Sequence, residues 1–351
     1  MGEAFSHPVP AAAGASSGVL SIQALDWAVA GLSVLVTGGF TLDVWAHNHG
    51  KVDKSFFTPW HAILYTSVAL TGLFLAYQAS RRGRSLPTGY ARSLAGVALF
   101  IVGGVLDLGW HTLFGVEADI ETLLSPTHLL LALAGLLILT GPLRSLSRRD
   151  AEGWRELGPA MIAATLVLVV FGIFTQYAHP FTEIAAVEPP GRQALGISSI
   201  LLQTALLMGM VLLLVQRWAL PPGALTLLFA VNGLAMAIIQ DQYHLLPVMV
   251  LGGLAGDGLL RWLHPPRPSP ARLRMFAAGV PRVLNALYFL DVFLTGTVTW
   301  STHLWAGSIV LAGVVGLLLS MLVSSPLGAA AVDPPACRSR TDPSTPLRMT
   351  E

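Results

Sequence analysis

Long apolar runs alternate with short polar ones along most of the chain. A helix needs about 20 apolar residues to cross roughly 30 Å of hydrocarbon. By that measure ten segments follow one another, at about 24–47, 57–79, 92–114, 123–143, 158–179, 195–216, 222–241, 244–263, 275–298 and 300–323. Most are rich in glycine and alanine, as close helix packing in lipid favours. The weakest punctuation falls around Asp241–Pro247, between the seventh and eighth. The pattern predicts an all-α integral membrane protein with a transmembrane helical domain over 21–323. Residues 1–20 are small and polar, with no basic stretch leading into a compact apolar core. They read as a disordered N-terminal segment and not as a cleaved signal. Residues 324–351, rich in Pro, Ser and charge, read as a disordered tail.

The spans pair into five hairpins, at about 24–79, 92–143, 158–216, 222–263 and 275–323, and the first two read alike. FTLDVWAHNHG leads to FFTPWHAILY, and GGVLDLGWHTLFG leads to LLSPTHLLLA. Asp43 and His47 recur as Asp107 and His111, and His61 recurs as His128. Gln176-x2-His179 is echoed by Asp241-x2-His244, and the last hairpin carries Asp291 and His303. Self-similarity at a fixed period is the mark of a copied supersecondary unit, here a hairpin of about 65 residues.

Composition sharpens the reading. Hydrophobic residues make up 54% of the 351 and charged ones 11%, with a mean hydropathy of +0.66. Soluble chains carry roughly a quarter charged residues. This excludes a soluble enzyme, a secreted disulfide scaffold and a disordered chain, and makes the lipid bilayer the first partner. The net charge of +1 comes with no basic run interleaved with aromatics, so nucleic acid is not an expected partner. Of the 20 Lys and Arg, 17 fall in even-span loops, adjoining span ends or the tail, against Lys51, Lys54 and Arg192 in odd-span loops. The positive-inside rule then places both termini in the cytoplasm. In a bacterium that means the inner membrane, with the odd-span loops outside.

Eight of ten histidines (His47, His49, His61, His111, His128, His179, His244 and His303) fall at the outer ends of the spans or in the turns between them; His7 and His264 do not. Asp43, Asp107, Asp241 and Asp291 lie near the same level. Carboxylates in hydrocarbon are costly unless paired or coordinated, which makes these residues functional candidates. Asp43/His47 and Asp107/His111 are i, i+4 pairs that share a helix face. Thr58-Pro59 and Ser125-Pro126 suit N-cap and N1 positions, placing His61 and His128 in a first helical turn. The dipole there disfavours imidazolium, and neutral imidazole is the metal-binding form. The sole cysteine, Cys337, lies in the tail, so a metal site has to use His and carboxylates. Two imidazoles and a carboxylate per hairpin suit copper, zinc or iron, with His49, His179, Asp241, His244, Asp291 and His303 as further ligand candidates. The plainer alternatives are Asp–His pairs that satisfy each other and a proton relay.

Asp43, His47 and His61, and again Asp107, His111 and His128, resemble the metal site of the C subunit of particulate methane and ammonia monooxygenases. In that family Asp-x3-His is followed by a third ligand His across a turn at the membrane surface. The intervals to the last His, 13 and 16 residues, are longer than the family's, and its recurrence in successive hairpins departs from the family pattern. The resemblance implies a transition-metal site in the membrane and partner subunits for any oxidation. Membrane hydrolases with zinc on transmembrane histidines are a second likeness, but they favour His-x3-His or His-x3-Asp, which is absent here. Three functions stay open: a membrane metalloenzyme acting on a lipid or small apolar molecule, a metal-ion or proton transporter, and a non-catalytic metal-binding subunit of a membrane complex.

Overall fold

The computed structural model describes residues 18–51, 56–115, 119–182, 191–263, 269–296 and 298–323. The segments expected to be disordered, 1–20 and 324–351, lie almost wholly outside the described residues. Among those described there is no strand. The helices are α1 (Ile22–Asn48), α2 (Pro59–Arg81), α3 (Tyr90–Phe114), α4 (Asp119–Leu124), α5 (Pro126–Leu139), α6 (Gly141–Leu146), α7 (Gly153–Phe174), α8 (Gln193–Arg217), α9 (Ala224–Gln240), α10 (Leu246–Leu263), α11 (Pro270–Thr295) and α12 (Thr302–Val323). Eight are long and apolar enough to cross a membrane: α1, α2, α3, α7, α8, α10 with the turn before it, α11 and α12.

The fourth and seventh expected spans are built differently. The fourth is the 14-residue α5, which stops at Thr140 before α6 starts with Pro142 as its second residue. Proline has no N–H to donate and clashes with the preceding turn, so the helix breaks there. The seventh is the 17-residue α9, closed by Asp241 in a left-handed conformation (φ 55°) and followed by a 3-10 turn at Tyr243–Leu245. This is the stretch where the break between two spans was least marked in the sequence.

Two helices begin on Ser/Thr-Pro as expected, α2 and α5, and α11 begins in the same way on Ser269-Pro270. The hydroxyls of Thr58, Ser125 and Ser269 accept the backbone N–H groups of His61, His128 and Arg272. Such caps fix where a helix starts and hence which residue occupies its first turn. The hairpins close tightly because glycines meet backbone. A Cβ on Gly39 of α1 would lie 2.8 Å from the Leu64 Cα of α2, and one on Gly96 of α3 would lie 2.9 Å from the Ala134 carbonyl of α5. α7 is buried nearly all round and packs against α1 and α9, which puts it at the centre of the bundle.

Two buried carboxylates lie at the end of the bundle opposite Asp43. Asp26 accepts from the Tyr90 hydroxyl at 2.5 Å and pairs with Arg149. Asp257 of α10 caps α9, accepting the Leu225 and Thr226 backbone N–H groups and the Thr226 hydroxyl at 2.6 Å.

Candidate metal centre

Asp107 sits two turns before the end of α3, almost wholly buried, and His111 lies one turn further on. His128 is the third residue of α5. The His111 Nε2 lies 3.5 Å from Asp107 Oδ2, and the His128 Nε2 lies 3.4 Å from Asp107 Oδ1. One ligand atom from each of the three residues can be chosen so that all lie within 4.8 Å of one another.

The surrounding hydrogen bonds orient this set. The Thr127 hydroxyl donates to Asp107 Oδ1 at 2.7 Å, and Ser125 Oγ lies 3.3 Å from Thr127 Oγ1. Ser125 Oγ is also 2.7 Å from His128 Nδ1, while the His111 Nδ1 is directed at the Gly115 carbonyl at 3.3 Å. One consistent proton order runs His128 Nδ1–H to Ser125, Ser125 to Thr127, and Thr127 to Asp107. It aims the other ring nitrogen of His128 at the carboxylate. Ligating imidazoles are usually held in this way, through a hydrogen bond from the ring nitrogen that does not ligate.

The first hairpin brings the corresponding residues together, with other ring orientations and other hydrogen bonds. The His61 Nε2 is 3.4 Å from Asp43 Oδ1, and the His47 Nδ1 is 4.0 Å from the same oxygen. The Nδ1 atoms of His61 and His47 point at carbonyls, at 2.5 Å from Phe56 O and 2.8 Å from Asp43 O. A carbonyl only accepts, so both Nδ1 atoms carry hydrogen, and a neutral His61 turns a lone pair toward the carboxylate. Two acceptors facing each other need a cation between them, either a proton or a metal ion. Asp43 Oδ1 is buried and has no hydrogen-bond partner. Thr58-Pro-Trp-His61 parallels Ser125-Pro-Thr-His128, but Trp60, in Thr127's place, directs its indole N–H to the Lys51 carbonyl. Among the described residues no hydroxyl therefore serves Asp43 as Thr127 serves Asp107.

The two sets share walls. The Phe56 ring lies 4.9 Å from the His61 ring and 6.3 Å from the His111 ring, centroid to centroid. Tyr65 of α2 stands 6.2 Å from the His61 ring and packs on Gly104 of α3, where a Cβ would meet its hydroxyl at 2.6 Å.

The remaining candidates pair in ways the spacing did not indicate. His49 leaves His47 and His61 and bonds Asp241 at 2.6 Å, with its Nδ1 on the Trp45 carbonyl at 2.7 Å. Both ring nitrogens face acceptors, so the ring is an imidazolium, and the Asp241 hydrogen bond raises its pKa above the usual value. In this arrangement His49 has no nitrogen to offer a metal. His244 binds Asp291 at 2.7 Å and not the nearby Asp241. His179 is buried and accepts the Phe181 N–H at Nδ1, so that nitrogen carries no proton and the ring is neutral. It lines a cavity of about 60 Å³ with Gln203, Asn232 and Asn285, apart from Asp43 and Asp107. His303 is exposed in the first turn of α12 and joins none of these pairs among the described residues.

Each of the four carboxylates thus lies against at least one imidazole. Sequence reasoning missed Thr127, Phe56 and Tyr65, which carry no ligand signature; Gln176, noted there only as part of a repeat, accepts from both Asn48 and Gln240 at 2.8 Å through its side-chain oxygen. A scan against protein-family models found no match for the chain, and searches of curated proteins and of solved structures likewise returned none.

Proposed function

We propose that the chain is a multi-pass membrane protein that binds a transition-metal ion, copper, zinc or iron, through Asp107, His111 and His128 at the extracytoplasmic ends of its helices. The observation that carries this is the convergence of one carboxylate and two imidazoles on a point where the ligand atoms lie within 4.8 Å of one another. Their outward-facing ring nitrogens are already engaged. Asp43, His47 and His61 form a neighbouring set that holds a second ion or shares the first, with the unpartnered Asp43 oxygen as its support. The likeness to the monooxygenase C subunit rests on these same six residues.

In this reading α5 with α6, and α9, complete ten crossings, and the arginine bias sets both termini inside. Three protein ligands leave a coordination position open, the arrangement that catalytic sites keep and structural sites close. That favours a metalloenzyme acting on a lipid or small apolar molecule, or a metal-binding subunit of such an enzyme, over a transporter. A pathway through the membrane needs polar groups at the opposite end, and there Asp26 and Asp257 are committed to Arg149, Tyr90 and the cap of α9.

The test is elemental analysis of gently purified protein together with the His128→Ala and Asp107→Ala variants. About one equivalent of a transition metal in the wild type, lost in both variants, is the expected result. Protein that takes up no metal after exposure to copper, zinc and ferrous iron in turn overturns the proposal, leaving mutual Asp–His pairing as the role of these residues.

A further inference from the structure

Arg282 is no span end, although the charge count along the sequence grouped it with the loops and their adjoining span ends. It stands midway along the 26 residues of α11, a helix long and apolar enough to cross a membrane. Its side chain lies across Gly313, itself midway along α12. A Cβ on Gly313 would fall 2.2 Å from the Arg282 Nε, so only glycine leaves room for it. Laid sideways over α12, the side chain stays near mid-depth and does not reach along the helix toward an interface. Arg282 is exposed and has no hydrogen-bond or ion-pair partner among the described residues. Met275, Ala286 and Phe293 share its face of α11, and Val310 and Leu311 of α12 are exposed as well. A lone guanidinium on an apolar surface at bilayer depth is strongly unfavourable, and such groups pair within the membrane.

Three partners are conceivable by charge. Lipid phosphates lie about 15 Å away at either side of a hydrocarbon core of roughly 30 Å. A second copy of this chain has no carboxylate to give at that level. Asp26, Asp43, Asp107, Asp241, Asp257 and Asp291 all lie toward the ends of their helices or just beyond, and a two-fold axis along the membrane normal would set Arg282 against Arg282. We infer that the α11–α12 face is a docking surface for a transmembrane helix of a different protein, one that presents an Asp or Glu near its midpoint to Arg282. The apolar residues around Arg282 pack against that helix, and the carboxylate replaces the lipid that the guanidinium otherwise faces. This inference stands independently of the metal centre.

The experiment uses the full chain, labelled with a fluorophore and reconstituted in phosphatidylcholine vesicles. The probes are synthetic leucine-rich transmembrane peptides with a central Asp, Asn or Leu, and association is read by energy transfer. The Asp peptide is expected to associate at least about tenfold more strongly than the Leu peptide. Arg282→Leu removes that difference, and Arg282→Glu restores association to a peptide with a central Lys. Equal association of the Asp and Leu peptides, or an Asp preference that survives Arg282→Leu, overturns the inference. So does a wild-type dimer that Arg282→Leu converts to monomer, which would assign the face to self-association. An unchanged circular dichroism spectrum and thermal transition in Arg282→Leu certify that the variant is folded.

Discussion

Replacing Thr127 by valine tests the metal centre through a residue that does not ligate. The hydroxyl is buried and donates to Asp107 Oδ1 at 2.7 Å, so it fixes which way the carboxylate faces. Valine keeps nearly the same shape, and position 127 lies in the first turn of α5, where a β-branched residue does no harm to the helix. Partners of this kind, hydrogen-bonded to a ligand, are worth 10–100-fold in metal affinity. At about 1.4 kcal/mol per factor of ten, that is roughly 1.4–2.8 kcal/mol. The carboxylate loses its hydroxyl donor while His111 and His128 stay in place, so the expected loss lies inside that range and does not abolish binding. The assay is competition for the metal by a chromophoric chelator in detergent. Thr71→Val is the control. Its hydroxyl is equally buried but bonds only the Ser67 carbonyl in its own helix, at 2.9 Å. An affinity within twofold of wild type in Thr127→Val, or an equal loss in Thr71→Val, refutes the orienting role.

Other expectations follow from the same contacts. Asp43→Asn replaces a buried carboxylate whose Oδ1 has no hydrogen-bond partner by an amide that can donate to the facing His61 Nε2, so the melting temperature of metal-depleted protein should rise, whereas that of metal-loaded protein should fall if Asp43 contributes a ligand. Asp257→Ala strips the cap from α9 and should cost about 1–2 kcal/mol in a denaturation experiment. The His49–Asp241 pair should make stability depend on pH. Because the folded pKa of His49 is raised, its contribution is complete below the unfolded value of about 6.5 and fades as pH rises through the folded value. The melting temperature should therefore decline from pH 6 to pH 9 in the wild type and stay flatter in Asp241→Asn. Asp241 is 58% exposed, so the effect should stay under about 1 kcal/mol.

Legibility followed sequence distance. The i, i+4 pairs and the Ser/Thr-Pro starts are local, and the structure places Asp107 against His111 and His128, and Asp43 against His61, as the spacing implied. The caps at Thr58 and Ser125 were equally readable, because a hydroxyl before proline at a helix start has few other uses. The pairings of His49 with Asp241, 192 residues apart, and of His244 with Asp291 were not readable. Asp241 and His244 lie three residues apart, yet across the left-handed turn at Asp241 the two side chains meet different neighbours.

By itself the sequence determined that this chain is a bundle of apolar helices with its histidines and several of its carboxylates gathered toward one level. Hydrocarbon admits little else, since every backbone group has to be satisfied within its own helix and every charge has to find a partner. Only the tertiary structure decided which carboxylate meets which imidazole. It set Thr127 beneath Asp107 while leaving Asp43 without such a donor, and it laid Arg282 across Gly313 on an apolar face. Those outcomes depend on how helices pack side by side, on glycines that let one backbone approach another and on the rotation each helix takes about its axis. None of these is written in the periodicity of a single helix.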